Sequence, residues 1–239
     1  LEQTLSSKQP DKLIEPQLPS TSRLTDDDLK PIRKRSLLAD LPHMVYRRLS
    51  IMLAERMGKN SRTHLNFNWI TPQLAMGGKF PTEAAEHLAK DLGITHIVDV
   101  RVEERDDEHT LREHGITLLH LPTQDAYAVS QTMLDDGVSW INEQLAHDAK
   151  VYIHCQYGIG RSALLLCCVL VSMGYTPSAA LHLAKQGRAQ VAPNQEQLDA
   201  LIEWAHRWRE KQGEQGPSET GSDLADIAYS ERATLAPES

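Results

Sequence analysis

A mostly parallel β-sheet with helices on its faces, an α/β fold, is the architecture this sequence predicts, and three observations predict it. Strand-like apolar runs alternate with helix-like segments through the middle of the chain, the pattern of a sheet built from crossover units. One stretch, residues 161–173, is apolar almost throughout, so it reads as a helix buried inside the fold. The chain has 239 residues, 40% hydrophobic and 24% charged, enough for one core that needs no covalent staples.

The elements follow in order. Residues 1–35 mix Gln, Pro, Ser and charges with no apolar period and are expected to be disordered. Residues 36–65 read as a basic amphipathic helix and linker. Asp40 is the N-cap, Pro42 lies in the first turn, and Leu41, Val45, Leu49, Met52 and Leu53 recur at helical spacing before Gly58. Nine basic residues between Lys30 and Arg62 face only Asp40 and Glu55. Such a helix either packs its apolar stripe on the main domain or attaches to an anionic membrane surface or acidic partner.

The main domain is expected over residues 66–210. Residues 73–76 read as a strand ending at Gly77-Gly78, and 82–92 as a helix stopped by Gly93. Residues 95–100 form a second strand, 107–114 a helix stopped by Gly115, and 116–121 a strand ended by Pro122. Ser130 caps a helix reaching to about His147, and residues 150–154 make the next strand. After the buried helix, segments 177–190 and 195–209 complete a helical C-terminal half. From 211 to 239, Gly, Ser, Pro and acids dominate, and a disordered acidic tail is expected.

Composition excludes several classes. A net charge of -8 speaks against a nucleic-acid binder. Cys155, Cys167 and Cys168 are too few and too clustered for a disulfide framework, which points to a reducing, cytoplasmic setting, with peripheral membrane attachment through the basic helix as the alternative. The longest apolar run, 163–171, is too short to cross a bilayer. The eleven histidines show no metal-ligating spacing, so no metal or other cofactor is expected. No secretory leader is visible; the chain begins at Leu1, which leaves open a fragment or a processed product.

The stretch that carries chemistry is Val151-Tyr-Ile-His-Cys155-Gln156-Tyr157-Gly158-Ile159-Gly160-Arg161-Ser162. A strand delivers a cysteine, five residues follow, and an arginine opens the buried helix. Backbone N–H groups around a helix N-terminus make an anion cradle, here residues Gln156 to Arg161. Gly158 and Gly160 are expected to take positive φ and turn the amides inward. Arg161 can hold two oxygens of a phosphate in its planar fork, and the same positive field favours a Cys155 thiolate, to which Ser162 can donate. Tyr157 either rims the cleft or packs beneath the loop.

This stretch resembles the Cys-x5-Arg signature of the protein tyrosine phosphatase superfamily, on the residues His154-Cys155 and Gly158-Ile159-Gly160-Arg161-Ser162. Asn66-Phe67-Asn68-Trp69-Ile70, Gly77-Gly78 and Ile97-Val98-Asp99-Val100-Arg101 with Glu104 look like the small dual-specificity members, so the resemblance covers residues 66–210. It implies a phosphatase-like fold, Cys155 as nucleophile, Arg161 as phosphate ligand and Ser162 as aid to thiolate departure. It also implies a general acid on an upstream loop, and Asp125 in Leu121-Pro122-Thr123-Gln124-Asp125 has the right spacing. Asp135 and Asp136 are rivals inside a helical pattern. Asp99, Arg101 and Glu104 read as a structural polar network, and His154 as a residue that orders the loop.

Two departures bear on substrate. Pro193 stands where tyrosine-specific members carry a water-positioning glutamine, Pro193-Asn194 looks like the dual-specificity pattern, and no tyrosine-clamping loop is evident before residue 66, which together suggest a shallower cleft. The expected substrate is therefore a phosphorylated protein, with phosphoserine and phosphothreonine admitted beside phosphotyrosine. Gln156, Tyr157 and Ile159 carry no charge, which lowers a phosphoinositide reading. A membrane-associated lipid or small-molecule phosphatase and a non-catalytic phosphate-binding adaptor are the alternatives. A thiol relay of the arsenate-reductase kind would need Cys167 or Cys168 near Cys155. They lie about twelve residues along a helix, or roughly 18 Å at 1.5 Å per residue, beyond the ~7 Å reach of a disulfide. Cys167 and Cys168 therefore read as core residues.

Overall fold

The computed structural model describes residues 65–230. The N-terminal disorder expected over 1–35 and the basic helix of 36–65 lie outside these residues, apart from Leu65. The described chain builds a five-stranded sheet in the order β1-β2-β5-β3-β4. The strands are β1 (Phe67–Trp69), β2 (Leu74–Gly77), β3 (His96–Arg101), β4 (Thr117–Thr123) and β5 (Val151–His154). All pairings are parallel except β1 with β2. The mixed α/β fold with a mostly parallel sheet is thus as the sequence predicts.

Helices cover both faces. On one side a 3-10 turn (Thr82–Ala84), α1 (Ala85–Lys90) and α2 (Glu108–Glu113) enclose Leu88, Ile94, Ile97, Leu111, Ile116 and Tyr152. On the other, α3 (Gln131–Leu145), α4 (Arg161–Ser172), α5 (Pro177–Gly187) and α6 (Gln195–Lys211) form the larger core. α4 lies at its centre, every residue from Arg161 to Val171 buried, which accounts for its nearly unbroken apolar sequence. Cys167 and Cys168 are among these, fully buried and free. Ser130 caps its helix as the sequence predicts, and Asp107, Thr176 before Pro177, and Asn194 likewise accept from backbone N–H groups at the starts of theirs. No helix among the described residues is long and apolar enough to cross a membrane.

Several boundaries differ from expectation. β1 carries no alternating pattern; antiparallel pairing to β2 makes it a strand. β4 runs through Pro122 to Thr123, with an irregularity in the β3–β4 register between Asp99 and Arg101. An edge strand tolerates proline there because the ladder is already broken. The largest correction concerns the tail. Disorder was expected from 211, yet α6 reaches Lys211 and a further helix, α7 (Gly221–Tyr229), follows. Composition misleads because α7 is short and its flanks are Gly- and Ser-rich. Thr220 and Asp223 form a reciprocal capping box, and Leu224, Ala225 and Ala228 bury against the core.

Candidate active site

β5 is flanked by strands on both sides and delivers Cys155 at its C-terminal end, where α4 begins at Arg161. The intervening loop is tied down through its carbonyls. Gln156 O accepts from Lys79 N–H (3.2 Å) and Ile159 O from Ala192 N–H (3.0 Å). Buried Arg188 donates to Gly158 O (2.7 Å) and Tyr157 O (2.9 Å), and is itself held by Asn66 (2.6 Å) and Asn68 (2.7 Å). A trans peptide points its C=O and the next N–H in opposite directions. Four carbonyls tied outward therefore turn the N–H groups of Tyr157, Gly158, Ile159 and Gly160 inward. Gly158 N–H donates to Cys155 Sγ at 3.2 Å.

Only glycine fits position 158. Its φ is 68°, and a Cβ there would lie 2.3 Å from the Gly77 carbonyl carbon. The same expectation for Gly160 is corrected: its φ is -118°, and the absent side chain matters because Gln197 Oε1 would lie 2.4 Å from a Cβ.

Cys155 is 3% exposed. Burial pushes its thiol up, but the Arg161 charge, the Ser162 hydroxyl and backbone N–H groups outweigh burial and hold it below its ordinary value. Ser162 Oγ lies 3.3 Å from the sulfur. Arg161, 1% exposed, makes a two-point pair with Glu103 (2.7 and 2.8 Å) and donates to Thr123 O (2.6 Å). Its Nε is buried with no hydrogen-bond partner among the described residues. That geometry fixes the guanidinium by its outer nitrogens and leaves an N–H for an oxyanion. Burial works against the Glu103 carboxylate, yet its bond to Arg161 and a backbone N–H hold its carboxyl below the usual range.

Asp125 stands 3.2 Å from Arg161, about half exposed. A shallow concavity open to solvent is lined by Asp125, Cys155, Arg161 and the loop residues Tyr157, Ile159 and Gly160, with Gln197 completing the wall. Tyr157 thus lines the cleft while its carbonyl is held from behind. Asp135 is engaged elsewhere, by Trp204 Nε1 (2.8 Å) and Arg207. Asp136 is absent from this lining.

Behind the loop, Arg101 is held by Asp99 on two nitrogens (2.9 Å each), by Glu104 (2.9 Å) and by Asp106 (2.6 Å). Asp106 also meets His154 Nε2 at 2.7 Å. Asp99, Asp106 and His154 bring three potential metal-ligating atoms within 4.8 Å of one another. Those atoms are committed to Arg101 and to each other, so the cluster acts as a charged strut under the loop.

Sequence reading did not single out Glu103, Asp106 or Arg188. Their partners lie 58, 48 and 30 residues away, and no local spacing encodes such pairings. A doubled acid at 103–104 beside a strand end was the only available sign of Glu103.

Comparison with known proteins identifies the family. The family model "Dual specificity phosphatase, catalytic domain" matches residues 78–207. Dual specificity protein phosphatase 26 of Mus musculus is 26% identical over 187 residues, covering 75% of this chain and 87% of that protein. The Arabidopsis thaliana phosphatidylglycerophosphate phosphatase PTPMT1 is 26% identical over 131 residues, covering 53% of this chain and 38% of that protein. A solved mouse putative dual specificity phosphatase shares the fold at 21% identity and TM-score 0.57, covering 68% of this chain and 99% of that one. With the model matching more than half of its length, this chain belongs to the dual specificity phosphatase family, within the cysteine-dependent protein tyrosine phosphatase superfamily, and is a phosphatase.

Proposed function

We propose that the protein hydrolyses phosphomonoesters of phosphotyrosine, phosphoserine and phosphothreonine in proteins through a phosphocysteine intermediate. One observation carries the reading: Cys155, Arg161 and Asp125 line a single concavity. The Cys155 thiolate attacks phosphorus while the bond to the leaving oxygen breaks, and Asp125 gives that oxygen its proton. Arg161 and the inward N–H groups carry the charge that builds on the equatorial oxygens. In the second step Asp125 takes a proton from water, the water oxygen bonds to phosphorus, and the P–S bond breaks. Ser162 donates to the departing thiolate, and inorganic phosphate leaves. Pro193 offers no side-chain amide for that water, and Gln197 is already engaged with Asn194 N–H and Tyr127 O (3.0 and 2.9 Å), which leaves Asp125 as the base for it.

A second reading has its own support: a lipid phosphatase held at an anionic membrane by the basic segment, suggested by that segment's nine cations and by the name of the Arabidopsis relative. The uncharged Gln156, Tyr157 and Ile159 favour the protein substrate, since no loop cation is available for additional phosphates. The location that accompanies the first reading is cytoplasmic, and for the second the cytoplasmic face of a membrane.

Steady-state hydrolysis of para-nitrophenyl phosphate in EDTA tests the mechanism. Wild type is expected to turn over, Cys155→Ser to be inactive, and Arg161→Ala to lose roughly 10³-fold. Activity surviving in Cys155→Ser would overturn the thiol mechanism. Phosphopeptides carrying each phosphorylated residue, assayed beside phosphatidylglycerophosphate vesicles, separate the two substrate classes.

A further inference from the structure

The backbone just after Asp125 is left-handed at a residue that carries a side chain: Ala126 has a φ of 73°. Such a conformation is disfavoured for any residue with a Cβ and persists only when the surroundings impose it. The surroundings here are the first turn of α6. Asn194 Nδ2 donates to Ala126 O (2.6 Å) and Gln197 Nε2 to Tyr127 O (2.9 Å), while Ala128 N–H donates to Glu196 Oε1 (2.9 Å). Asn194 and Gln197 are locked to each other by a capping box.

This turn is in its own right held from the far side by the C-terminal helix. Tyr229 Oη, at the end of α7, donates to Pro193 O at 2.6 Å. The buried Lys185 amine on α5 donates both to Val191 O, just ahead of Pro193, and to Ala228 O of α7. α7 docks through Leu224, Ala225 and Ala228 and lies beyond residues 78–207, the part matched by the family. An unbroken run of contacts therefore leads from α7 through Pro193 and Asn194 to the residue following Asp125.

We propose that α7 is a brace for the acid loop, with Tyr229 as a positioning residue that acts on Asp125 through Pro193 and Asn194. The proposal rests on Asp125 as the general acid. Proton transfer to a leaving oxygen demands tight placement of the donor, so loosening the first turn of α6 weakens catalysis where protonation is needed most. The Cys155 sulfur stands on other supports, Arg161, Ser162 and Gly158 N–H, while the cradle shares one tie with this region, Ile159 O on Ala192 N–H beside Pro193, so a good leaving group is expected to show a small loss as well.

The test uses the 239-residue chain as wild type, Tyr229→Phe, Tyr229→Ala and Asp125→Asn. Phenyl phosphate, a poor leaving group, is compared with para-nitrophenyl phosphate, a good one. Tyr229→Phe is expected to lower kcat on phenyl phosphate about threefold and Tyr229→Ala about tenfold, with much smaller losses on para-nitrophenyl phosphate. Alkylation of Cys155 by iodoacetate is expected to keep its pH dependence, and amide exchange over residues 124–129 to quicken. Equal losses on both esters, or unchanged exchange in that segment, would overturn the brace. If Asp125→Asn itself fails to discriminate between the esters, the acid assignment falls, and the exchange measurement still decides whether α7 holds the loop.

Discussion

At the scale of single residues, the site is a contest between burial and compensation around one sulfur. Burial at 3% exposure opposes a thiolate, and Arg161 with Ser162 reverses that sign. Replacing Ser162 by Ala removes one compensating donor, so the Cys155 thiol rises. The acid limb of both the alkylation rate and kcat/KM moves to higher pH, with activity at neutral pH down roughly tenfold. Alkylation by iodoacetate across pH checks the shift directly, and an unmoved profile would show that Arg161 suffices. Gly158→Ala puts a Cβ against the Gly77 carbonyl at a positive φ. Denaturant unfolding is expected to show a loss of about 2 kcal/mol or more, together with lost phosphate binding. Cys167 and Cys168 fare oppositely to Cys155: burial pushes the Cys167 thiol up to about 12, and burial foremost, with Cys167 and Asp135 nearby, raises the Cys168 thiol. Alkylation of the native protein should therefore label Cys155 alone.

At the scale of elements, α4 and the buried strut determine how the loop is presented. Leu165→Ala, at a fully buried position of α4, should cost about 3 kcal/mol by urea unfolding, since the neighbouring helices refill such a cavity only in part. The His154–Asp106 contact makes a pH-dependent contribution with a definite sign. Burial lowers the His154 value, but Asp106 foremost, with Asp99, raises it above the ordinary 6.5. A raised folded value means the contribution is fully present below 6.5 and is lost as pH climbs through the elevated value. Thermal melts from pH 6 upward should show Tm declining in wild type. Asp106→Asn should start lower and lose this decline; a parallel slope in the variant would remove His154 as its source. The strands and helices themselves were largely readable, because caps such as Ser130 and stops such as Gly93 and Gly115 act within a few residues of sequence. β1 and α7 were not readable, because each owes its existence to a distant partner.

At the scale of the whole molecule, the question is how the catalytic unit meets its substrate. The full chain is acidic at -8, yet nine cations are concentrated between Lys30 and Arg62. On the lipid reading, vesicles rich in anionic lipid carry the full chain upward in flotation at low salt and release it near 0.5 M salt, where screening shortens the reach of surface charge to a few ångström; on the protein-substrate reading the chain stays at the bottom. Removal of residues 1–60 should abolish flotation while leaving para-nitrophenyl phosphate turnover intact. Flotation unchanged by that removal would place the membrane contact elsewhere and withdraw the main support for the lipid reading.

The candidate site was legible in sequence because the loop gathers its residues within eight positions: Cys155, the glycines, Arg161 and Ser162 are local, and the strand before them and helix after them follow from pattern. Asp125 was found through its spacing and the resemblance, one strand and one helix upstream. Tertiary structure alone decided what holds these groups in place. Glu103 on Arg161, Arg188 beneath the loop carbonyls, Asp106 on His154, and α7 behind the acid loop join segments 30 or more residues apart. The physical reason is one of range. Capping, turn and helix preferences act between near neighbours in the chain, whereas a buried charge or carbonyl finds its partner only when the folded core brings distant segments within about 3 Å.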